Sequence, residues 1–242
     1  MNKLTGQVAM VTGAGRGLGR AIALGLAQQG AAVVLTARSQ DELAATAAML
    51  AGHGAGTFTV PGDITDERFI ERLFAQTVER YRRLDLLVNN AGAFDGGPLD
   101  EMSAETWDKV IAVNLRAPFL CTRAALRVMK PQRTGRIVNI GSISAQRVRP
   151  QSAPYSASKH GLWGLTQVTA LEGREFGVTC GCLHPGNIHV ERRHTDKPED
   201  AEPMMTPDEI AEVAVLMASL PPHVEMLEAI VLPHQQLYVG RG

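Results

Sequence analysis

The chain has 242 residues, 45% hydrophobic and 20% charged, and its 24 Lys and Arg against 25 Asp and Glu leave a net charge of −1. That length and composition suit one large globular domain, and the near-neutral charge offers no footprint for nucleic acid or an acidic membrane. No apolar run approaches the roughly 18 residues of a membrane span, and Met1 to Met10 lacks the basic-then-apolar pattern of a secretory signal. The expectation is a cytoplasmic protein with neither a membrane nor a nucleic-acid partner. Cys121, Cys180 and Cys182 are odd in number and lack zinc spacing, so they read as reduced, buried thiols, with no metal site.

Gln7 to Gly13 is a short apolar run ending in glycine, the pattern of a buried parallel strand. Ala14-Gly15-Arg16-Gly17-Leu18-Gly19 follows, and from Arg20 to Gln29 the residues Ile22, Leu24 and Leu26 take helical spacing. Strand, glycine-rich turn and helix together are the context in which such a motif carries chemistry. Gly13 permits the tight turn, Gly17 lets backbone approach a phosphate, and Gly19 lets helix and strand pack closely. The free N–H groups and positive dipole end of the helix then meet a dinucleotide pyrophosphate. A glycine turn without a ligand is the alternative.

Ala31 to Ala37 is a second β-rich run. Sites for NAD place an acidic residue at this strand's end to accept from the ribose 2′-hydroxyl. Here the end reads Ala37-Arg38-Ser39. A guanidinium binds a 2′-phosphate bidentately where a carboxylate would repel it, and Arg16 offers a second cation. NADP(H) is therefore expected, with NAD(H) the alternative if Arg38 is only solvated.

The pattern repeats: helix Gln40 to Leu50, strand Thr57 to Val60, helix Asp66 to Tyr81, strand Leu84 to Asn89. Strand-plus-helix units of about 25 to 30 residues imply right-handed crossovers and a parallel sheet covered on both faces. Asp63 follows the third strand, at the sheet edge where an adenine would lie. Asn89-Asn90-Ala91-Gly92 follows the fourth, with small residues and amides suited to packing beside a cofactor. Ser103 to Met129 reads as one long helix capped by Ser103. Pro118 inside it cannot donate to the carbonyl of Asn114, which is left free to hold a water for proton relay; a tolerated kink is the alternative.

Arg136 to Ile140 reads as the fifth strand, and Ser142 stands beyond its carboxyl end, where open α/β sheets place their ligands. The helix from Pro154 to about Phe176 stacks Tyr155 and Lys159 as an i, i+4 pair. A phenol is by itself a poor acid–base catalyst at neutral pH. An ammonium one turn away favours the phenolate and makes proton exchange at Tyr155 feasible. Small residues at Ala157, Gly161, Gly164 and Val168 suit either a helix of a second subunit or intrachain packing. Val178 to Leu183 is the sixth strand, followed by His184-Pro185-Gly186. Residues 187–205 are polar and proline-containing, a candidate lid whose Met204 and Met205 either line a pocket or pack. Thr206, Pro207 and Glu209 form a capping box, and Leu227 to Leu232 is a last strand. The expected fold is a doubly wound α/β domain over residues 1–242, with a seven-stranded, mostly parallel sheet and helices on both faces.

These residues resemble the short single-domain branch of the short-chain dehydrogenases/reductases, the carbonyl and 3-oxoacyl reductases among them, over about residues 5–233. The resemblance rests on Thr12-Gly13-Ala14-Gly15-Arg16-Gly17-Leu18-Gly19, Asn89-Asn90-Ala91-Gly92, Asn114, Ser142, Tyr155 with Lys159, and Pro185-Gly186. It implies a Rossmann fold and hydride transfer between a nicotinamide and a carbonyl or alcohol. It also implies Tyr155 as general acid in reduction and Ser142 as hydrogen-bond partner of the reacting oxygen. Lys159 then tunes Tyr155 and binds the nicotinamide ribose, and Asn114 holds the relay water. Two positions depart from the family. The usual threonine after Pro185-Gly186 is Val190, which leaves nicotinamide orientation to the Ile188 backbone. The usual Asp-Gly-Gly ending is replaced by Leu232-Pro233-His234-Gln235-Gln236-Leu237-Tyr238. A homo-oligomer is expected through the two long helices, tetramer over dimer, although that tail removes the usual C-terminal subunit contact. The rival readings are an NAD-dependent alcohol dehydrogenase and a non-catalytic nucleotide sensor. The small-molecule substrate depends on Ala93 to Pro98, Ala145 to Ser152 and the lid, with Arg147 and Arg149 either greeting an anion or solvated.

Overall fold

The computed structural model describes residues 2–53, 55–189 and 203–238. Among them strands and helices alternate: β1 (Val8–Thr12), α1 (Gly17–Gln28), β2 (Ala32–Ala37), α2 (Gln40–Leu50), β3 (Thr57–Pro61), α3 (Glu67–Tyr81) and β4 (Leu86–Asn89). The second half runs α4 (Ala104–Ile111), α5 (Ala117–Gln132), β5 (Gly135–Ile140), α6 (Ala153–Gly173), β6 (Val178–Pro185), α7 (Pro207–Ala218) and β7 (Glu228–Val231). The sheet order is β3-β2-β1-β4-β5-β6-β7, and every neighbouring pair is parallel.

A parallel sheet with helices on both faces needs apolar residues in both directions along each strand. β1 meets that need with five buried residues in succession. Its alternate side chains feed two cores: Ala9 and Val11 pack with Ile22, Leu26 and Leu43, whereas Val8 and Met10 pack with Phe69, Leu73 and Leu120. Helix starts follow their caps. Ser39, Asp66 and Ser103 accept from the N–H groups of Glu42, Arg68 and Thr106, and Thr206 with Glu209 closes a reciprocal capping box.

The helix expected over Ser103 to Met129 is in fact two. A π-turn, Ala112–Arg116, separates α4 from α5, and the Ala117 N–H reaches back to the Ala112 carbonyl. Pro118 supplies the reason: without an N–H it cannot continue the regular ladder, which widens just before it. The small-residue stripe on α6 is split in use. A Cβ on Gly161 would come within 2.8 Å of Leu115, so that position serves intrachain packing, whereas Gly164 meets open space and Val168 is 51% exposed.

Cys121, Cys180 and Cys182 are unpaired and buried, and burial pushes the Cys121 and Cys182 thiols up to about 12. Among the described residues there is no helix long and apolar enough to cross a membrane, and no His/Cys/Asp/Glu cluster that could hold a metal. The proposed lid and Val190 fall on 190–202, outside the described residues. The base of that segment is described: Ile188 bridges to Met205, with His189 N–H on the Met205 carbonyl at 2.8 Å and Met205 N–H on the Asn187 carbonyl at 2.9 Å. Met205 joins the core.

Arg136, at the start of β5, ties down the end of α7. Its guanidinium is buried and donates to the carbonyls of Met217 at 2.9 Å and of Leu220, Pro221 and Val224 at 3.1 Å. Burial lowers its pKa and Glu225 works against that. Arg136→Met keeps the stem and orphans these acceptors, so urea unfolding should show a loss of about 2–3 kcal/mol. A loss under about 0.5 kcal/mol, the range of ordinary surface changes, would contradict this role.

Candidate active site

The sheet order places β1 beside β4 while the chain leaves them in opposite directions, and a crevice opens between their carboxyl ends. The Thr12 hydroxyl closes the floor of that crevice, accepting the N–H groups of Asn90 and Ala91 at 3.1 Å each. The Asn90 amide donates back to the carbonyls of Thr12 at 2.9 Å and Gly13 at 3.3 Å. Gly13 has φ +67°, and a Cβ there would sit 2.8 Å from the Ala91 Cα; on Gly19 a Cβ would sit 2.2 Å from the Gly13 oxygen. Strand, turn and helix therefore meet at backbone contact, as the sequence predicts. The start of α1 has no side-chain cap and no acidic residue in its first turn, so its N–H groups lack a side-chain partner. Arg20 and Thr46 fix the turn by donating to the Gly15 carbonyl. Uncapped N–H groups in a rigid glycine cradle fit a pyrophosphate.

The cations divide. Arg38 is exposed beyond β2 and has no partner among the described residues. Arg16, in the glycine turn, makes a surface pair with Glu42 at 3.2 Å. Asp63 stands past β3, the edge strand, with one carboxylate oxygen accepting the N–H and hydroxyl of Thr65 at 2.8 Å.

The four expected catalytic residues converge on the same sheet edge. Tyr155 and Lys159 share a face of α6, with the Lys159 Nζ 5.6 Å from the Tyr155 ring centroid. Lys159 is buried and Nζ donates to the Ile140 carbonyl at 2.8 Å. An ammonium carries three donors, so two remain without a described partner in a site where water is scarce. Ser142 follows β5 and caps the short 3₁₀ turn Ile143–Ala145, its hydroxyl accepting from the Ser144 N–H at 3.1 Å. Neither that hydroxyl nor the Tyr155 phenol is consumed by the other; the phenol makes no hydrogen bond to a described residue. Asn114 lies in the π-turn, 1% exposed. Its side chain exchanges two 2.8 Å bonds with the Ala93 backbone and donates to Ser158 at 3.2 Å. Ser158 in turn donates to the Tyr155 carbonyl at 2.7 Å. Asn114 is thus a brace between the loop after β4 and α6.

A family model described as short chain dehydrogenase matches residues 7–201. The chain belongs to the short-chain dehydrogenase/reductase family. It is 37% identical over 233 residues to a 3-oxoacyl-[acyl-carrier-protein] reductase of Synechocystis, covering 91% of this chain and 92% of that protein. It is also 37% identical over 187 residues to a 3beta-hydroxysteroid dehydrogenase of Mediterraneibacter gnavus, covering 76% and 67%. A metagenomic short-chain oxidoreductase solved in complex with NADP superposes with a TM-score of 0.85 at 36% identity, covering 97% of this chain and all of that one. The fold is therefore the Rossmann fold of these oxidoreductases, and the chain is a nucleotide-binding oxidoreductase by family.

In this short-chain dehydrogenase the remaining expected cofactor residues line the same edge. Pro185 ends β6, the Gly186 N–H bonds to the Val231 carbonyl at 2.7 Å, and Leu18 and Ile188 pack against the core behind them. Gly92 is exposed, 3.6 Å in Cβ terms from the Asn114 Oδ1. Sequence reasoning missed the supports. Asn89 donates to Asn139 at 2.8 Å and to Thr122 at 3.2 Å, and Asn139 donates to Thr166 at 2.8 Å. This buried run fixes α5 and α6 to the sheet. An asparagine inside the apolar strand Ile137-Val138-Asn139-Ile140 was the available signal. His184, fully buried, sets its Nδ1 2.9 Å from the Ser142 carbonyl. Burial holds it below the usual histidine range against the pull of that carbonyl and Glu228.

The C-terminal tail is the other missed element. The Gln236 Oε1 accepts the Asn187 N–H at 2.9 Å, the Tyr238 hydroxyl donates to Gln146, and Gln146 donates to Glu228. The Arg147 guanidinium lies 5.6 Å over the Tyr238 ring, which places it on the tail and not free for an anion.

Gly19→Ala should insert a methyl against the Gly13 carbonyl and the Asn90 amide, separating β1 from β4. Thermal unfolding should show about 1–3 kcal/mol lost to overpacking, with a parallel fall in affinity for a dinucleotide. Unchanged affinity would detach the glycine turn from ligand binding.

Proposed function

We propose that this short-chain dehydrogenase is an NADP(H)-dependent reductase of ketones or aldehydes. The observation that carries the reading is the convergence of a free Tyr155 phenol, a buried Lys159 with two unused donors and the Ser142 hydroxyl on the edge that bears the glycine cradle. Those are a proton donor, a polyol-binding cation and an oxygen-binding hydroxyl within one cleft. Arg38, exposed and unpaired where β2 ends, supports NADP(H), because a guanidinium there meets a 2′-phosphate. The cradle from Gly13 to Gly19 holds the pyrophosphate, Asp63 stands by the adenine, and Asn90, Ala91, Gly92, Pro185, Gly186 and Ile188 face the nicotinamide half.

When bound, NADPH supplies a hydride to the carbonyl carbon. Ser142 donates to the carbonyl oxygen and fixes its position. The Tyr155 O–H bond breaks as its proton passes to that oxygen, giving the alcohol. Lys159, held by the Ile140 carbonyl, favours the phenolate so formed and spends its other donors on the nicotinamide ribose. A water on the Asn114 carbonyl returns a proton from solvent. The electrostatic gain comes from donors placed before reaction begins.

Phe94 is 69% exposed and stands edge-on to Tyr155 with centroids 5.1 Å apart. An apolar rim beside the proton donor favours carbonyls with an apolar or aromatic substituent. The relatives' names span an acyl-carrier thioester and a steroid, so the substrate is set by this rim and not by family. The reading includes one domain, a cytoplasmic location and a homo-oligomer joined through α5 and α6, where Phe119, Val168 and Leu171 are exposed.

Titration with NADPH and NADH followed by a panel of ketones, aldehydes and 3-oxoacyl thioesters tests it. Arg38→Ala should weaken NADPH binding by roughly 10- to 100-fold, the worth of a charge-assisted hydrogen bond, and leave NADH almost untouched. Equal affinities in the wild type would move the assignment to NAD(H). Tyr155→Phe should lower kcat by about 10²- to 10⁴-fold with cofactor affinity retained; preserved turnover would remove Tyr155 from the chemistry.

A further inference from the structure

Two turns form opposite walls of the cleft, and each must hold its shape for the site to work. One begins at Ser142: the Ala145 N–H bonds to the Ser142 carbonyl and the Gln146 N–H to the Ile143 carbonyl, both at 2.9 Å. The other is Pro185-Gly186-Asn187, where β6 ends. They are far apart in sequence, and β5 and β6 bring them together through the Gly141 N–H on the Leu183 carbonyl at 2.7 Å and the His184 Nδ1 2.9 Å from the Ser142 carbonyl. The chain after β7 reaches both. Past Pro233 it turns, with Gln236 N–H on the Pro233 carbonyl at 2.9 Å, and lays two side chains into the walls. Gln236, 8% exposed, accepts the Asn187 N–H, so close behind Gly186 that a Cβ there would overlap its oxygen at 2.1 Å. Tyr238, with the Arg147 guanidinium over its ring, donates to Gln146, which is anchored in turn on Glu228 of β7.

We propose that residues 233–238 are a positioning strap for the active site: Gln236 fixes the Gly186–Asn187 turn and Tyr238, through Gln146, fixes the turn that begins at Ser142. Two positioning residues six bonds of backbone apart in the fold's last segment thus set the width between the serine that binds the reacting oxygen and the turn that faces the nicotinamide. Asn187 is buried and its N–H is held on the Gln236 Oε1; a buried donor that loses its acceptor is costly in place, so removing Gln236 loosens the turn. Reaction geometry is sensitive to such shifts, a displacement near 1 Å being enough for about a hundredfold loss.

The inference rests on the reductase reading, and the test separates the two. Gln236→Met fills the same space with no acceptor; Gln236→Glu keeps the acceptor; Tyr238→Phe removes only the hydroxyl. In the ligand-free protein, amide hydrogen exchange should quicken at Asn187 in Gln236→Met and at Ala145–Gln146 in Tyr238→Phe. An increase of roughly three- to tenfold matches one lost hydrogen bond. With NADPH and the best carbonyl of the panel, both variants should lose kcat by at least that factor, and Gln236→Glu should recover it while its unfolding temperature reports any cost of the buried charge. Exchange at wild-type rates overturns the strap, as does faster exchange with kcat and cofactor affinity both at wild-type values. A wild type that turns over no carbonyl overturns the reductase reading, and exchange then still decides whether the tail holds these turns.

Discussion

The site hangs from one hydroxyl. Thr12, the last residue of β1, accepts two successive N–H groups of the loop that leaves β4, and this fixes where β4 stops being strand. Three residues on, Ala93 meets Asn114 in a reciprocal pair; Asn114 holds Ser158; Ser158 holds the backbone of Tyr155. The dinucleotide cradle and the proton donor, roughly 140 residues apart in sequence, are therefore four hydrogen-bonded steps apart in space. Buried polar groups in such a run are costly singly and rigid together, which is the property that a preorganised site needs.

Lys159 makes the same point electrostatically. A buried ammonium is expensive unless it is paired, and here one carbonyl and the neighbouring phenol ring are its company. In the function proposed here, a ribose answers the residual demand of its other donors. His184 does the reverse: fully buried and kept uncharged by its surroundings, it braces the Ser142 carbonyl without adding a second cation near Lys159.

Much of this was legible in the sequence because its causes are local. Short apolar runs, capping residues and the glycine spacing all act within a few residues, and they placed the strands, the helix starts and the cradle. The i, i+4 relation of Tyr155 and Lys159 needs nothing but a helix. The Ser103–Met129 segment went astray on a matter of degree: Pro118 announced a kink, but whether the ladder kinks or widens into a π-turn depends on what Asn114 must reach. The supports escaped because their partners are remote. Gln236 and Asn187 are 49 residues apart and Tyr238 and Gln146 are 92, and no periodicity encodes that pairing. The surface pair of Arg16 with Glu42 on the facing helix is remote in the same way.

The most direct test of the central claim, that the crevice between β1 and β4 and the Tyr155 cleft form one hydride-transfer site, is a crystal structure of the chain with NADP⁺. The account predicts the pyrophosphate on the Gly13–Gly19 turn, the 2′-phosphate on Arg38 and the nicotinamide ribose on Lys159. The Tyr155 hydroxyl should then be within about 3–3.5 Å of where a substrate oxygen would sit over the ring. A cofactor whose nicotinamide lies out of reach of Tyr155 and Ser142, or whose 2′-phosphate turns away from Arg38, would contradict it.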